Sequence, residues 1–543
     1  MKSRWQILSL MAAMALLYLA YPTRTHEFDA MGFASAALSG EHWLATDPGH
    51  LGFSPLVILA AGIGQRVHPP LNPVLLLQYL SMVAGLAGIY AFYRTLTGLG
   101  ASPRRATVFA GILCCTCAYW HFALQAESHI LSTTFLLFFL MQFTRLVESR
   151  SVRTAAWAGA LLGLATLMHQ KNILLVAPAL IALPIAVHGR RRLAVVAGMF
   201  LATYGVVAIL PYLVVGLGVA GLRTIPDLRH WIMGLSNFGQ WGHWTSYTML
   251  LSGGAIVRSL VGSDYLLGLG PIKALAIRIA PHFLMQDELA VAAAVPHALR
   301  AALLPLEAAL LVLAGAALVR RAGSLKTLLS RHAPLAIFSF AWVLVLGVFS
   351  AWWVPWRMEF WIDLFPPVLL LLALPLDQDP EHRGGRSRMT GTFLLALATA
   401  NFFGSIRPES LPTTDAETNL ALALDATIKP GTTILADIRL CGRAARCPRT
   451  FVPAGLLDGF APGAAPAQAA LFHQVDSLLA AADSAGESVY LVATPLAPEA
   501  TRRAAYRSLV ASLGARFRLD EQVPIRANID LRKIHRRGGP TLR

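Results

Sequence analysis

The sequence predicts an all-α polytopic membrane protein with about eleven transmembrane helices, followed by a small C-terminal α/β domain. Its 543 residues are 56% hydrophobic and only 14% charged, and the mean hydropathy is +0.57. From Trp5 to about Asn401 the apolar residues form stretches near the roughly 20 residues that cross a bilayer as a helix. A soluble globular protein does not need this much apolar surface, so the composition excludes that class.

The basic residues predict the orientation of these helices. Short arginine clusters, such as Arg104–Arg105 and Arg190–Arg192, follow every second apolar stretch, and cytoplasmic loops carry an excess of Lys and Arg. The first stretch follows Lys2 and Arg4 but lacks a convincing cleavage signal, so we interpret it as an uncleaved helix with a cytoplasmic N-terminus. The net charge of +16 is spread over these short loops, and membrane orientation explains it better than a nucleic-acid partner.

The apolar stretches and the charges between them predict where each span begins and ends. The spans are predicted at 5–20, 72–93, 106–121, 130–145, 155–169, 172–187, 193–219, 300–319, 334–351, 364–376 and 389–404. Two long outside segments are predicted at about 21–70 and 220–298. The first contains two short amphipathic stretches, near 29–40 and 53–67.

The character of the chain changes after about Arg407, where charged residues return. TTILAD at 432–437 and SVYLVA at 488–493 have the pattern of short buried strands, with Ala-rich helical sequence between them. We therefore predict a transmembrane domain over 1–407 and a soluble α/β domain over 408–543, which the odd number of spans places outside. The sequence of the second domain contains no glycine-rich phosphate loop and no recognisable metal-ligand spacing.

The five cysteines form two groups. Cys114, Cys115 and Cys117 lie in one apolar span, where small polarizable side chains usually serve packing. Cys441 and Cys447 lie in the C-terminal region and are able to pair if that region faces an oxidising periplasm.

Two carboxylates follow the first predicted span. Glu27 and Asp29, in the motif THEFDA, are separated by one residue at the edge of the hydrocarbon. Ionisable side chains at that level are costly and often functional, and partial desolvation raises a carboxylate pKa toward the range of a general base. The alternative is that both are ordinary helix-end charges in water.

Three further polar clusters lie at the outside ends of predicted spans. Glu127 lies in the turn QAESHI, His169 and Lys171 lie in MHQKN, and Arg357 and Glu359 are framed by tryptophans in WWVPWRMEFW. Arg is suited to bidentate phosphate recognition, and a His and a Lys are able to bind a phosphate or a carboxylate. Each cluster also has a structural interpretation: a capping glutamate, a snorkelling lysine, or an aromatic belt with an Arg–Glu pair. Four such clusters on one face of an apolar protein favour a site.

Five segments of the membrane region carry a likeness to known proteins. They are THEFDAMGFASAALSG, HLGFSPLVILAAGI, QAESHIL, LATLMHQKNILLVAPAL and WWVPWRMEFWIDLFPP. In this order they resemble the GT-C superfamily of integral-membrane glycosyltransferases, and most closely its protein O-mannosyltransferase-like branch. The second segment matches that branch at His50, Gly52, Pro55 and Leu56. The sequence departs from the branch at Arg24, where relatives often have an Asp three residues before the first-loop Glu.

The resemblance implies an inverting transfer of a sugar, with a mannose-like hexose favoured, from a polyprenyl-phosphate donor to an acceptor hydroxyl. Glu27 or Asp29 is then the catalytic base, and the departure at Arg24 leaves the choice between them open. The residues implied to bind substrate are His50, Glu127, His169, Lys171, Arg357 and Glu359. Within this set Arg357, with Lys171 or His169, would offset the charge of the departing phosphate, and Glu127 would orient the sugar or a neighbouring cation.

The resemblance also implies partners and a location. The partners are the lipid-linked donor, a protein, lipid or glycan acceptor, and the bilayer, without nucleic acid. The location is the bacterial inner membrane, with a cytoplasmic N-terminus and a periplasmic C-terminal domain. No cofactor is certain, a divalent metal is left open, and no metal ligand is assigned.

Three other functions remain open on the sequence alone. A membrane transporter or lipid-linked glycan flippase also collects polar residues in the membrane, although usually near the midplane and often in two similar halves. A polymerase or ligase for surface polysaccharide would share the donor and use different loops. An inactive scaffold would bind a partner through its outside domain.

Overall fold

A computed structural model describes most of the membrane region and part of the C-terminal region. The described residues are 2–26, 28–39, 42–67, 73–233, 242–279, 286–374, 383–414, 432–436, 451–453, 472–473, 475–477, 479–482, 484, 488–492, 511, 513–520, 523–525 and 529–536. Glu27, Cys441 and Cys447 lie outside these residues, so the roles proposed for them stay predictions.

The described part of the membrane region is built from helices. They are α1 Lys2–Ala20, α2 Phe28–Ser39, α3 Ser54–Arg66, α4 Pro73–Gly98, α5 Pro103–Cys115, α6 Cys117–Ala123, α7 Ser128–Ser149, α8 Val152–Met168, α9 Val176–Ala186, α10 Arg190–Tyr204, α11 Leu210–Leu213, α12 Ile225–Met233, α13 Thr248–Leu260, α14 Gly270–Ile279, α15 Gln286–Ala294, α16 His297–Gly323, α17 Leu325–Trp353, α18 Phe365–Ala373, α19 Arg383–Asn401 and α20 Arg407–Glu409. Two π-helical segments, Gly205–Ile209 and Val214–Val219, continue α10 and α11 into one long span.

Every predicted span coincides with helical structure. Within the described residues, six helices are long and apolar enough to cross a membrane, or seven spans if the bent pair α5 and α6 counts as one. Shorter apolar helices cover the predicted spans 5–20, 155–169 and 172–187, and α18 lies within 364–376. The amphipathic stretches of the first outside segment are the helices α2 and α3. Helices satisfy their backbone hydrogen bonds internally, as hydrocarbon requires, and the chain is a polytopic membrane protein.

Two spans are less regular than the sequence predicted. The predicted span 106–121 is bent by 71° between α5 and α6, because Thr116 has extended backbone angles (φ −61°, ψ 142°). The helix α17 begins before the predicted 334, and continues across a kink at His332 (φ −135°, ψ 35°) two residues before Pro334. Proline removes a backbone donor and clashes with the preceding turn, which accounts for a kink at this place.

An aromatic cluster joins α7 to α17 in the core. Phe139 and Phe143 of α7 contact Phe338 and Trp342 of α17, and the Phe143 and Phe338 ring centroids are 4.2 Å apart. All four side chains are fully buried. Helix association in a bilayer relies on such van der Waals packing, since lipid tails are as apolar as the helices. This packing holds the turn before α7 near the loop after α17.

The C-terminal region contains a mixed sheet. Its strands are β1 Thr433–Ala436, β2 Phe451–Pro453, β3 Val489–Val492, β4 Phe517–Leu519, β5 Val523–Ile525 and β6 Ile529–Arg536. The order is β2-β1-β3-β6-β4, with β5 also paired to β6. β1 is parallel to β2 and β3, and β6 is antiparallel to its neighbours. β1 and β3 are the two strands predicted from the sequence, and helical pieces lie between them, which confirms the α/β character.

Candidate active site

The polar clusters identified in the sequence lie at one end of the helix bundle. This end carries the start of α2, the turn before α7, the junction of α8 and α9, and the loop between α17 and α18. Arginine clusters lie at the other helix ends, for example Arg190–Arg192 at the start of α10 and Arg320–Arg321 near the end of α16. The clusters therefore lie on the face of the bundle opposite to the basic loops.

A small cavity at this end joins residues from two separate loops. It is lined by Asp29 in the first turn of α2, by His50, and by Glu127 and His129 at the start of α7. Phe33, Phe53 and Ser128 complete the lining. Oε2 of Glu127 lies 3.7 Å from Nε2 of His129. We call Asp29, His50, Glu127 and His129 the cavity group.

Three histidine rings pack together beside the cavity. The ring of His169 lies between the other two, with centroid distances of 5.2 Å to His50 and 5.0 Å to His129. His50 also contacts Phe33, and His129 contacts Phe122. His169 thus supports the two cavity histidines from one side.

A close backbone contact places His50 beside His169. The N–H of Gly52 donates to the carbonyl of Leu167 at 2.7 Å, and the N–H of Gln170 donates to the carbonyl of Gly49 at 3.2 Å. A Cβ atom on Gly52 would lie 2.8 Å from Cβ of Leu167. Only glycine allows this approach, so the small residue noted in the sequence brings two loops together.

Asp47 holds His50 and shifts its protonation. Nδ1 of His50 lies 3.0 Å from Oδ2 of Asp47, which also accepts from the N–H of Gly49 through Oδ1. Burial opposes both charges, yet the hydrogen bond and the opposite charge lower the pKa of the Asp47 carboxyl. The same two effects, with the charge of Asp29, raise the pKa of His50 above its usual value despite burial and Lys171. The pair therefore favours a protonated His50 beside the cavity.

Lys171 is held in a buried ion pair outside the cavity. Its Nζ lies 3.0 Å from Oδ2 of Asp363, and both side chains are only 1% exposed. The ammonium also donates to the carbonyl of Glu359 at 3.1 Å, and the hydroxyl of Thr133 donates to Oδ1 of Asp363 at 2.6 Å. We call Thr133, Lys171 and Asp363 the loop anchor, because they tie the loop after α17 to α7 and to the α8–α9 junction.

Arg357 is the more accessible cation of the same end. Its Nη1 lies 2.9 Å from Oε1 of Glu359, and its side chain is 27% exposed. The next aromatic residue, Phe360, contacts the rings of His129 and His169. Arg357 therefore lies in a loop that packs directly on the histidines beside the cavity.

The structure brings together all seven described residues that the sequence identified as site candidates. Asp29, His50, Glu127, His169, Lys171, Arg357 and Glu359 form one connected group, and Glu27 lies outside the described residues. Sequence reasoning missed Asp47 and Asp363 as partners of His50 and Lys171. Asp363 had a weak signal as a lone acid in the aromatic segment WIDLF, and Asp47 had one as an acid three residues before His50.

Within the residues that the structure describes, no three His, Cys, Asp or Glu side chains are arranged to hold a metal ion. Glu27, which lies two residues before Asp29 in the sequence, is not among those residues.

A family model matches part of the chain. Residues 54–215 match the model of the dolichyl-phosphate-mannose-protein mannosyltransferases. This range contains α3 to α11, and with them Glu127, His169 and Lys171. No curated protein sequence matches the chain significantly.

Comparison with solved structures identifies a shared fold over the whole chain. ArnT from Cupriavidus metallidurans bound to undecaprenyl phosphate is 11% identical, with 98% of each chain covered and a TM-score of 0.57. The same protein in the apo state gives a TM-score of 0.58 at the same identity and coverage. The archaeal oligosaccharyltransferase AglB from Archaeoglobus fulgidus, in complex with an inhibitory peptide and a dolichol-phosphate, is 13% identical, with a TM-score of 0.43 over 100% of this chain and 75% of that one.

Proposed function

We propose that this chain, a membrane glycosyltransferase of the GT-C superfamily, transfers a hexose from a polyprenyl-phosphate donor to an acceptor hydroxyl with inversion at the anomeric carbon. The family description names dolichyl-phosphate-mannose as a donor and protein as an acceptor, and ArnT is bound to undecaprenyl phosphate. We therefore favour a mannose-like sugar on a polyprenyl phosphate. The acceptor is a hydroxyl of a protein, a lipid or a glycan.

The observation that carries this proposal is the shared lining of one cavity. Asp29 comes from the first outside segment and Glu127 from the turn before α7, yet both line the cavity with His50. Two carboxylates from separate loops, with a histidine of raised pKa, supply a base and groups that bind sugar hydroxyls. A transporter pathway would instead place its polar groups near the middle of the spans.

The base takes the proton of the acceptor hydroxyl. Asp29 faces the cavity and is partly exposed, and Glu27 lies two residues earlier, so either carboxylate is able to serve. As the hydroxyl loses its proton to the base, its oxygen attacks the anomeric carbon. The bond between that carbon and the phosphate oxygen breaks on the opposite face. Proton transfer by a positioned base contributes about 10²- to 10⁴-fold in rate.

Arg357 stabilises the departing phosphate. The leaving group is a lipid phosphate that gains negative charge in the transition state, and a preorganised cation there lowers the barrier. Arg357 is partly exposed, whereas the ammonium of Lys171 is buried against Asp363. Protonated His50 adds a second positive charge beside the cavity, and Glu127 orients the sugar.

The arrangement of basic loops supports an orientation. The arginine-rich ends would be cytoplasmic, which places the cavity and the C-terminal domain, 408–543, on the periplasmic side of a bacterial inner membrane. The N-terminus is then cytoplasmic. A lipid donor lying in the outer leaflet would reach the cavity from the plane of the membrane.

The test is sugar transfer in membranes at matched expression. Labelled polyprenyl-phosphate mannose and polyprenyl-phosphate glucose would be incubated with the wild type, Glu27→Gln, Asp29→Asn and Glu127→Gln. Transfer into protein, lipid and glycan fractions would be counted separately, and the anomeric configuration of the product determined by NMR. We expect one first-loop variant to lose about 10²- to 10⁴-fold in rate.

Asp227→Asn is the matched control. Asp227 is an exposed carboxylate in the first turn of α12, in the second outside segment. Because it is a surface residue, the change should leave transfer within about twofold of the wild type. Transfer that survives all three site variants would refute the site, and a wild type inactive with every donor would favour the transporter or flippase.

A further inference from the structure

A row of buried polar side chains runs behind the cavity and has no part in the chemistry proposed above. Nδ1 of His26 lies 3.3 Å from Oε1 of Gln125, and Nε2 of Gln125 lies 3.1 Å from Nε2 of His121. Nδ1 of His121 lies 2.8 Å from Oε2 of Glu409. All four side chains are at most 7% exposed.

The donors and acceptors of this row fit one arrangement. Nε2 of Gln125 donates to the carbonyl of Thr25 at 2.9 Å and to Nε2 of His121, which must then accept. Nδ1–H of His121 donates to Glu409, and Nδ1–H of His26 donates to Oε1 of Gln125. A carboxylate at position 125 would supply no donor, so the row requires the amide.

Gln125 joins the two loops that carry the carboxylates. Its bonds reach Thr25 and His26, which directly precede Glu27, and Gln125 itself lies two residues before Glu127. Gln125 therefore helps to set the distance between the segment before Asp29 and the turn of Glu127. Gln78 of α4 strengthens the same contact by donating to the carbonyls of Thr23 and Leu124.

The other end of the row is fixed to the last span. Glu409 lies in α20, and the hydroxyl of Ser405 in the preceding turn donates to its second carboxylate oxygen. The N–H of Arg24 donates to the carbonyl of Glu409 at 2.9 Å. The first outside segment is thus tied to the end of α19–α20 as well as to the turn before α7.

We propose that Gln125 and His121 are positioning residues, which hold the loop of Glu27 and Asp29 against the turn of Glu127 and fix both to α20. This inference rests on the proposed function, since it assumes that those carboxylates act on the substrate. Buried amides and histidines stabilise little compared with apolar packing, and they specify one arrangement when every partner is satisfied. Misplacing reactive groups by about 1 Å costs up to about 10²-fold in rate.

The first variant is Gln125→Met, which keeps the length of the side chain and removes all three hydrogen bonds. We expect kcat to fall about 10- to 100-fold, while KM for the donor stays within about twofold, because the donor site itself is unchanged. Gln125→Glu is the second variant, and it should behave like Gln125→Met because it cannot donate to Thr25.

Asn401→Leu is the matched control. Asn401 is fully buried and also makes three hydrogen bonds, to Cys115, Leu260 and Gly262, away from the carboxylate loops. Asn401→Leu should lower the unfolding temperature about as much as Gln125→Met does. The folded Asn401→Leu enzyme should keep kcat within about twofold of the wild type.

A double variant separates positioning from general damage. If Gln125 acts through Glu127, adding Gln125→Met to Glu127→Gln should lower kcat far less than it does in the wild type. A fall in kcat that is equal in both backgrounds, or a wild-type kcat in Gln125→Met, would overturn the proposal. A wild type inactive with every lipid-linked donor would instead refute the proposed function, and the positioning role with it.

Discussion

Two polar groups lie side by side at the same end of the bundle: one lines a small cavity, and the other is built around a buried ion pair. The cavity group contains Asp29, His50, Glu127 and His129, which line a small cavity. The loop anchor is a closed set in which Lys171 and Asp363 neutralise each other out of contact with solvent. Both groups come from sequence segments that look alike, with single charged residues at the ends of apolar spans.

The difference teaches that a charge at the end of a span has two possible uses. A buried charge must be paired, because leaving it alone in a medium of low polarity is very costly. In the loop anchor Asp363 neutralises the charge of Lys171, and the pair joins two loops. In the cavity group the charged residues line a small cavity. Lys171 and Arg357 are both paired cations, but the side chain of Lys171 is 1% exposed and that of Arg357 is 27% exposed.

The largest effect should come from breaking the loop anchor. Lys171→Met leaves Asp363 buried without its cation, and we expect a loss of about 3–5 kcal/mol in the free energy of unfolding. The double variant Lys171→Met/Asp363→Leu removes both charges and should recover most of that loss. Thermal unfolding in detergent measures both. If the double variant is stable but no longer binds the donor, Lys171 contacts the phosphate and the comparison fails.

Arg357 should show the opposite behaviour. Arg357→Gln removes the accessible cation, and we expect kcat to fall about 10²- to 10³-fold, as for the loss of a transition-state donor. Stability should change by less than about 1 kcal/mol, because the side chain is partly exposed. The control is Arg223→Gln, an exposed arginine of the second outside segment. If Arg357→Gln lowers the free energy of unfolding as much as Lys171→Met does, then Arg357 has a structural role like that of the loop anchor.

A substitution at Gly52 tests whether the activity requires the loop of His50 to lie close to α8. Gly52→Ala places a Cβ 2.8 Å from Cβ of Leu167, and overpacking of this kind costs about 1–3 kcal/mol. The loop carrying His50 should move away from His169, and transfer should fall with it. Gly62→Ala in α3 has no atom within 4 Å of the new Cβ and should be neutral or slightly stabilising. Equal behaviour of the two variants would contradict the close contact.

The smallest effect should be a shift in pH dependence. The pKa of His50 is raised in the folded protein, so its charge stabilises the fold below the ordinary histidine pKa, and this contribution is lost as pH rises through the raised value. If protonated His50 assists the phosphate, transfer should fall over the same alkaline range. Asp47→Asn removes the anion that raises this pKa, so the alkaline limb of the kcat/KM profile should move to lower pH. If the alkaline limb of the kcat/KM profile does not move in Asp47→Asn, then protonated His50 does not assist the departing phosphate.

The spans could be predicted because the property that defines them is local. About 20 apolar residues cross a bilayer whatever the rest of the chain does, and the arginine clusters mark their ends. The break at Thr116 could not be predicted in this way, since CCTCAYW contains neither proline nor glycine. The candidate residues were found by their polarity at span ends, but their partners were not. Asp363 meets Lys171 because α17 packs against α9 and against the segment before it, which brings distant loops into contact.

The sequence by itself determined the class of the protein, the position of its helices and the end of the bundle at which polar residues gather. These follow from the cost of exposing polar groups to hydrocarbon, which each segment meets alone. The tertiary structure decided how deeply each cation is buried and which acid it meets: His50 lines the cavity beside Asp47, Arg357 is partly exposed beside Glu359, and Lys171 is buried against Asp363. It also decided that Gln125 joins two carboxylate loops. Such pairings depend on distances between segments far apart in the chain, and those distances exist only after the helices have packed.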